Sequence, residues 1–187
     1  MPKNTKKKAR PSPPARERKA PARRGSACKP MVWLLPVILL AAAGFYLFSG
    51  SGDAPGQAVA SMGNAHILPG ADALMTYNSD PPTSGPHYGS LAPWGIHQQP
   101  ISKGLQIHNL EDGGVLVQYN CGDCPELVEK LRGIAGRHPS HVILAPYPGM
   151  KRRIALTAWG RIDTFDEFDE KRITRFIEAY RGIDHHR

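Results

Sequence analysis

Eighteen consecutive residues, MVWLLPVILLAAAGFYLF (31–48), carry no charged side chain and divide this chain of 187 residues in two. At 1.5 Å per residue a helix of that length nearly crosses a hydrocarbon core of about 30 Å, so a transmembrane helix is expected over 31–48. Pro36 and Gly44 are compatible with a membrane helix, and Trp33 and Tyr46 stand near its ends, where aromatic belts form. The rival reading is a cleaved signal peptide, because Ala58-Val59-Ala60 has the small-x-small form of a cleavage site. That motif lies well past the apolar run, and the run is long for a signal sequence. An uncleaved anchor is therefore expected.

Charge orients the anchor. The formal net charge of +8 suggests a nucleic-acid binder until its distribution is followed. Residues 1–30 hold eleven Lys/Arg and one acid, Glu17; the remainder holds thirteen Lys/Arg against fifteen Asp/Glu. The basic character belongs to the tail, and no nucleic-acid partner is expected for the rest. The tail is rich in Pro, Ala and Ser and nearly free of large apolar residues. It cannot bury a core and is expected to be disordered and drawn to anionic lipid headgroups; it either only sets the topology of the anchor or also binds an acidic cytosolic partner. Positive charge stays on the cytoplasmic side. The expected arrangement is a single-pass cytoplasmic (inner) membrane protein with its N-terminus cytoplasmic and its C-terminal domain extracytoplasmic. Cys28 then stays with the tail. Cys121, Cys124 and all eight histidines lie on the far side, where disulfides persist.

Residues 49–65 are small and polar and read as a flexible linker, with a globular domain over 66–187. Residues 66–104 are dominated by Pro, Gly, Ser, Asn and Asp. This is ordered loop rather than helix, with Tyr77, Tyr88 and Trp94 to pack it. LQIHNL and VLVQYN flank EDGG, a β-hairpin signal that places His108 on an apolar sheet face leading toward Cys121. PELVEKLRGIAGR predicts a helix with Pro125 in its first turn, ended by Gly133 or Gly136. HVILAPYPG and RRIALTAWGR read as two strands. DEFDEKRITRFIEAYRG reads as a helix capped by Asp166, with an apolar stripe of Ile173, Phe176, Ile177 and Tyr180 and with Gly182 at its C′ position. The expected class is α+β: a mixed sheet with a β-hairpin, two helices and a long Pro/Gly-rich loop behind one transmembrane helix.

Cys121-Gly122-Asp123-Cys124 stands between a strand and a helix, and three readings are open. As a redox pair, Cys121 is the nucleophile and Cys124 resolves, helped by the helix dipole. Against this, one strand–helix unit of a thioredoxin core is lacking, and Asn120 replaces the usual aromatic. As a metal clip, the thiolates join histidines. As a staple, a disulfide fastens the strand end to the helix start. The candidate ligands are His87, His97, His108, Cys121, Cys124, Met150 and the tail pair His185 and His186. His87 and His108 are the best placed of the histidines, and the tail pair is expected to fray. Soft sulfur with imidazole suits copper, and Cys with His suits zinc. Glu111 and Asp112 can add oxygen ligands. No nucleophile elbow, phosphate-cradling loop or H-E-x-x-H motif is present.

The blocks YNSDPPTSGPHY, HNLEDGGVLVQYNC, CPELV, VILAPYPGM and RIALTAWGR resemble the bacterial family catalogued as domain of unknown function 3105, across roughly residues 66–187. The resemblance implies an N-terminal anchor and an exported domain. The family's turn commonly reads His-Asn-Leu-Glu-His-Gly; here Asp112 replaces the second histidine. A metal held by that pair would, in this chain, exchange a nitrogen ligand for an oxygen. The combined expectation is a non-catalytic binding module for a transition metal, copper or zinc, through His87, His108, Cys121, Cys124 and Met150. The alternatives are a thiol–disulfide oxidoreductase and a structural or interaction domain with a stapling disulfide.

Overall fold

The computed structural model describes residues 54–186; the basic tail and the expected transmembrane helix lie outside the described residues. No helix among the described residues is long and apolar enough to cross a membrane.

The sheet is organised by β3 (Val115–Tyr119), whose first four residues are buried. A strand buried on both faces reads as a continuous apolar run, and Val115-Leu116-Val117 is such a run. It pairs in parallel with β4 (Val142–Pro146) and antiparallel with β5 (Ile154–Ala158). Beyond β5 lies β6 (Arg161–Phe165), antiparallel to it, and then the two-residue β1 (Gln57–Ala58). On the other side β4 carries β2 (Gly95–Ile96). The six-stranded order is β1-β6-β5-β3-β4-β2, with both edges only two residues long. Edges that short offer little template for aggregation.

Alternation along the strands gives the sheet two apolar faces. Val115, Val117, Val142, Leu144 and Leu156 pack under two helices, α2 (Pro125–Ala135) through Leu127, Leu131 and Ile134, and α3 (Glu170–Tyr180) through Ile173, Phe176 and Ile177. Leu116, Ile143 and Ala145 face the other way, onto Leu110 of α1 (Lys103–Glu111) and onto Ala92 and Trp94 of the loop segment. The result is three layers around one sheet.

The architecture is mixed α+β, as expected, but the hairpin is elsewhere and there are, among the described residues, three α-helices rather than two. Residues 105–110 form α1, not a strand, because β3 already has a neighbour on each side and leaves no edge for them. EDGG ends that helix and turns into β3. Gly113 has a φ of 77°, and a Cβ on Gly114 would stand 2.4 Å from the Asn109 carbonyl oxygen. The true hairpin is β5–β6, closed by Trp159-Gly160 with Gly160 at φ 64°. The expected linker enters the domain too, since Gln57 and Ala58 form β1. Asp169, not Asp166, caps α3 by accepting from the Arg172 N–H, while Asp166 accepts from the Arg153 N–H and pairs with Arg152. That backbone bond, foremost, and Arg152 hold the Asp166 carboxyl below the usual carboxylate range. Gly182, at φ 82°, is the C′ residue of α3 as expected.

Gly104 tests the placement of α1. In an exposed helix Gly→Ala stabilises by about 1 kcal/mol. Here a Cβ would meet the Tyr88 ring at 2.7 Å, and that ring is held by hydrogen bonds to Gly70 and Asp72. Gly104→Ala is therefore expected to destabilise the full-length protein in detergent by about 1–3 kcal/mol, read from its denaturation midpoint. A raised midpoint would contradict the packing of α1 on Tyr88.

Candidate metal centre

Four segments converge on one buried carboxylate. The first two meet in a parallel bridge between His66 and His87. The His87 N–H donates to the Ala65 carbonyl at 3.0 Å, and the Ile67 N–H donates to the His87 carbonyl at 2.7 Å. The bridge sets the His66 and His87 rings 5.0 Å apart. The third segment is the last turn of α1. His108 and Glu111 are three residues apart and so share a helix face. The His108 ring lies 5.2 Å from that of His87 and 5.4 Å from that of His66. The fourth segment is the C-terminus. The Gly182 N–H donates to the Gly113 carbonyl at 2.7 Å, and the His185 N–H to the Glu111 carbonyl at 2.8 Å. His185 stacks on Trp159, whose ring also stands edge-on to His87.

Glu111 is 1 % exposed. Its Oε1 accepts from Asn64 Nδ2 at 2.8 Å, and its Oε2 lies 2.9 Å from His87 Nε2. His87 is fully buried, and its Nδ1 lies 2.8 Å from the Gly85 carbonyl oxygen. A carbonyl only accepts, so Nδ1 carries the proton there. This fixes the tautomer and leaves Nε2 to face the carboxylate. Either a proton sits between Nε2 and Oε2, or a metal takes the place of that proton. A histidine that donates Nδ1–H to a carbonyl and presents Nε2 is the usual form of a metal ligand.

His108 separates these two readings. Its Nδ1 is buried without a hydrogen-bond partner and faces Glu111 Oε2 across 4.0 Å. Burial, foremost, and the neighbouring His87 and His66 push its pKa down; Asp112 and Glu111 push it up, and the net shift is downward. The shift favours the neutral ring, which has one nitrogen lone pair to offer. One ligand atom from each of His66, His87, His108 and Glu111 falls within 4.8 Å of every other. Four donors at zinc bond lengths stand roughly 3.4 Å apart, so a modest inward movement would complete a tetrahedron.

Of the residues singled out from sequence, His87 and His108 come together here. Cys121 and Cys124 are joined in a disulfide with Cα atoms 6.0 Å apart, and they pack against the α2–α3 core. Met150 is buried with Tyr147 and Ala155. His97 is occupied near the Pro93 carbonyl oxygen at 2.7 Å. One participant, His66, is not among the residues singled out from sequence. His66 stands at the edge of the Gly/Ser/Ala-rich stretch, with no local signal beyond its being a histidine. His186, expected to fray, has its Nε2 3.5 Å from Glu111 Oε2.

The profile of the family described as Protein of unknown function (DUF3105) matches residues 70–186. The chain belongs to this family. No curated protein and no solved structure matches it. The DUF3105 match includes His87, His108, Glu111 and His186 and begins just after His66.

Removing one partner from a buried charged pair costs about 3–5 kcal/mol. Glu111→Ala should lower the stability of the full-length, chelator-treated protein by that amount, measured by chemical denaturation in detergent. An unchanged midpoint would mean that the His87–Glu111 contact contributes nothing without metal.

Proposed function

We propose that the domain is a membrane-anchored, extracytoplasmic module that binds one divalent transition metal through His66, His87, His108 and Glu111. The observation that carries this reading is the unpartnered, buried Nδ1 of His108 beside a carboxylate that already has a histidine partner. A structural ion pair needs one imidazole; the third ring has no such use. Imidazole and carboxylate without sulfur suit zinc(II) or copper(II) better than copper(I), which prefers thiolate and thioether. The disulfide is read as a staple between the end of β3 and the start of α2, leaving no thiolate for metal. His66 lies on the exposed side, so the ion has a route from solvent. Bound there, it would act as a Lewis acid or as a cargo held for a partner. The module is read as a binding domain, with its basic tail cytoplasmic and its anchor over 31–48.

Full-length protein in detergent, stripped with chelator and dialysed against Zn(II), should retain metal by elemental analysis. A ligand present at a hundred times its Kd stabilises by about 2.7 kcal/mol, so the unfolding midpoint should rise with Zn(II). His108→Ala should weaken binding by more than the roughly 10–100-fold lost when a partner outside the ligand shell is removed. Absence of retained metal in the wild type would end this reading.

The topology has its own test. Protease added to intact spheroplasts should degrade residues 54–186 and spare an epitope on the N-terminal tail. Loss of the tail epitope with survival of the domain would reverse the orientation.

A further inference from the structure

The C-terminal tail carries a second set of donors beside the first. Asp184 orients His186: its Oδ1 lies 2.8 Å from both the His186 backbone N and the ring Nδ1. The ring therefore presents Nε2 inward, 3.3 Å from Asp112 Oδ1 and 3.5 Å from Glu111 Oε2. This is the carboxylate–histidine arrangement that orients metal ligands elsewhere. Asp112 caps α1 and follows Glu111 directly, so the helix end presents one carboxylate inward and one outward. The His108 and His186 rings stand 5.8 Å apart. One ligand atom from each of His108, Asp112 and His186 falls within 4.8 Å of the others. The tail is fixed there by the backbone bonds from Gly182 and His185. His108, whose buried Nδ1 has no hydrogen-bond partner, is a member of both donor sets.

We propose that His108, Asp112 and His186 form a second divalent-metal site, outside the first and next to Glu111. This inference rests on the inner site proposed above. With both ions bound, the inner one keeps His66, His87 and Glu111, and the outer one takes His108, Asp112 and His186. Each has three protein ligands, and the Glu111 carboxylate lies between them. The outer site is the more exposed, since the His186 side chain is 44 % and the Asp112 side chain 27 % accessible. Its ion keeps water in its remaining positions, which a small oxyanion can replace. The ligand class is a pair of divalent cations with nitrogen and oxygen preference.

The test is the number of ions bound. Full-length protein in detergent is dialysed against Zn(II) alone, and metal per chain is measured by elemental analysis. The wild type should hold two ions, and His186→Ala and Asp112→Asn one each. Both positions lie at the surface, and circular dichroism checks that the variants stay folded. His87→Gln should lose the inner ion and bind at most one. One ion in the wild type, unchanged in His186→Ala, would overturn the second site and leave the inner one standing. Two ions retained in His186→Ala would also overturn it. No ion in the wild type would overturn both proposals.

Discussion

A carboxylate shut away from water is costly, and Glu111 is tolerated only because the chain surrounds it with positive or proton-bearing groups. Asn64 reaches one oxygen and His87 the other. Satisfying those two oxygens fixes much else. It draws the segment before residue 66 onto the domain, holds the loop of His87 in a bridge with His66, and sets the final turn of α1 against both. The sheet supplies stability through Val115, Leu116 and their neighbours, but it is this one side chain that determines how the irregular third of the domain is arranged.

Where the core is apolar, the sequence was readable. β3, β4, α2 and α3 are visible as runs or stripes, because Val117, Leu144, Leu131 and Phe176 are recruited by burial alone. α1 was not. Its buried face includes Gln106, Asn109 and Glu111, which are satisfied within the fold: Gln106 by the Ile101 carbonyl and Gln118, Asn109 by the Ala92 backbone, and Glu111 by Asn64 and His87. Polar residues buried for partners elsewhere in the chain erase the apolar periodicity that marks a helix. What remained, two apolar runs around Asp-Gly-Gly, imitated a hairpin. The hairpin that exists turns at Trp159-Gly160, within what reads as one strand and its end.

The centre was half legible for the same reason. His87 and His108 stood out beside Pro-rich and Gly-rich segments that hold a ring firmly. His66 gained its place from backbone pairing across twenty residues, and His186 from hydrogen bonds to the far end of α1; neither leaves a trace in local sequence. The Cys pair drew attention because its spacing is familiar. In the folded chain it closes on itself, and the donor atoms that come together belong instead to rings that share no motif.

Residues 182–185 hydrogen-bond to the turn that carries Glu111, through Gly182 and His185. Until they dock, the end of α1 has an open wall. The pocket is therefore closed only once residues 182–185 have docked, and whatever fills it is drawn from the surroundings in which that docking takes place. Were a divalent ion to fill it, the donor set would have little intrinsic preference, and the place of folding would select the ion as much as the ligands do.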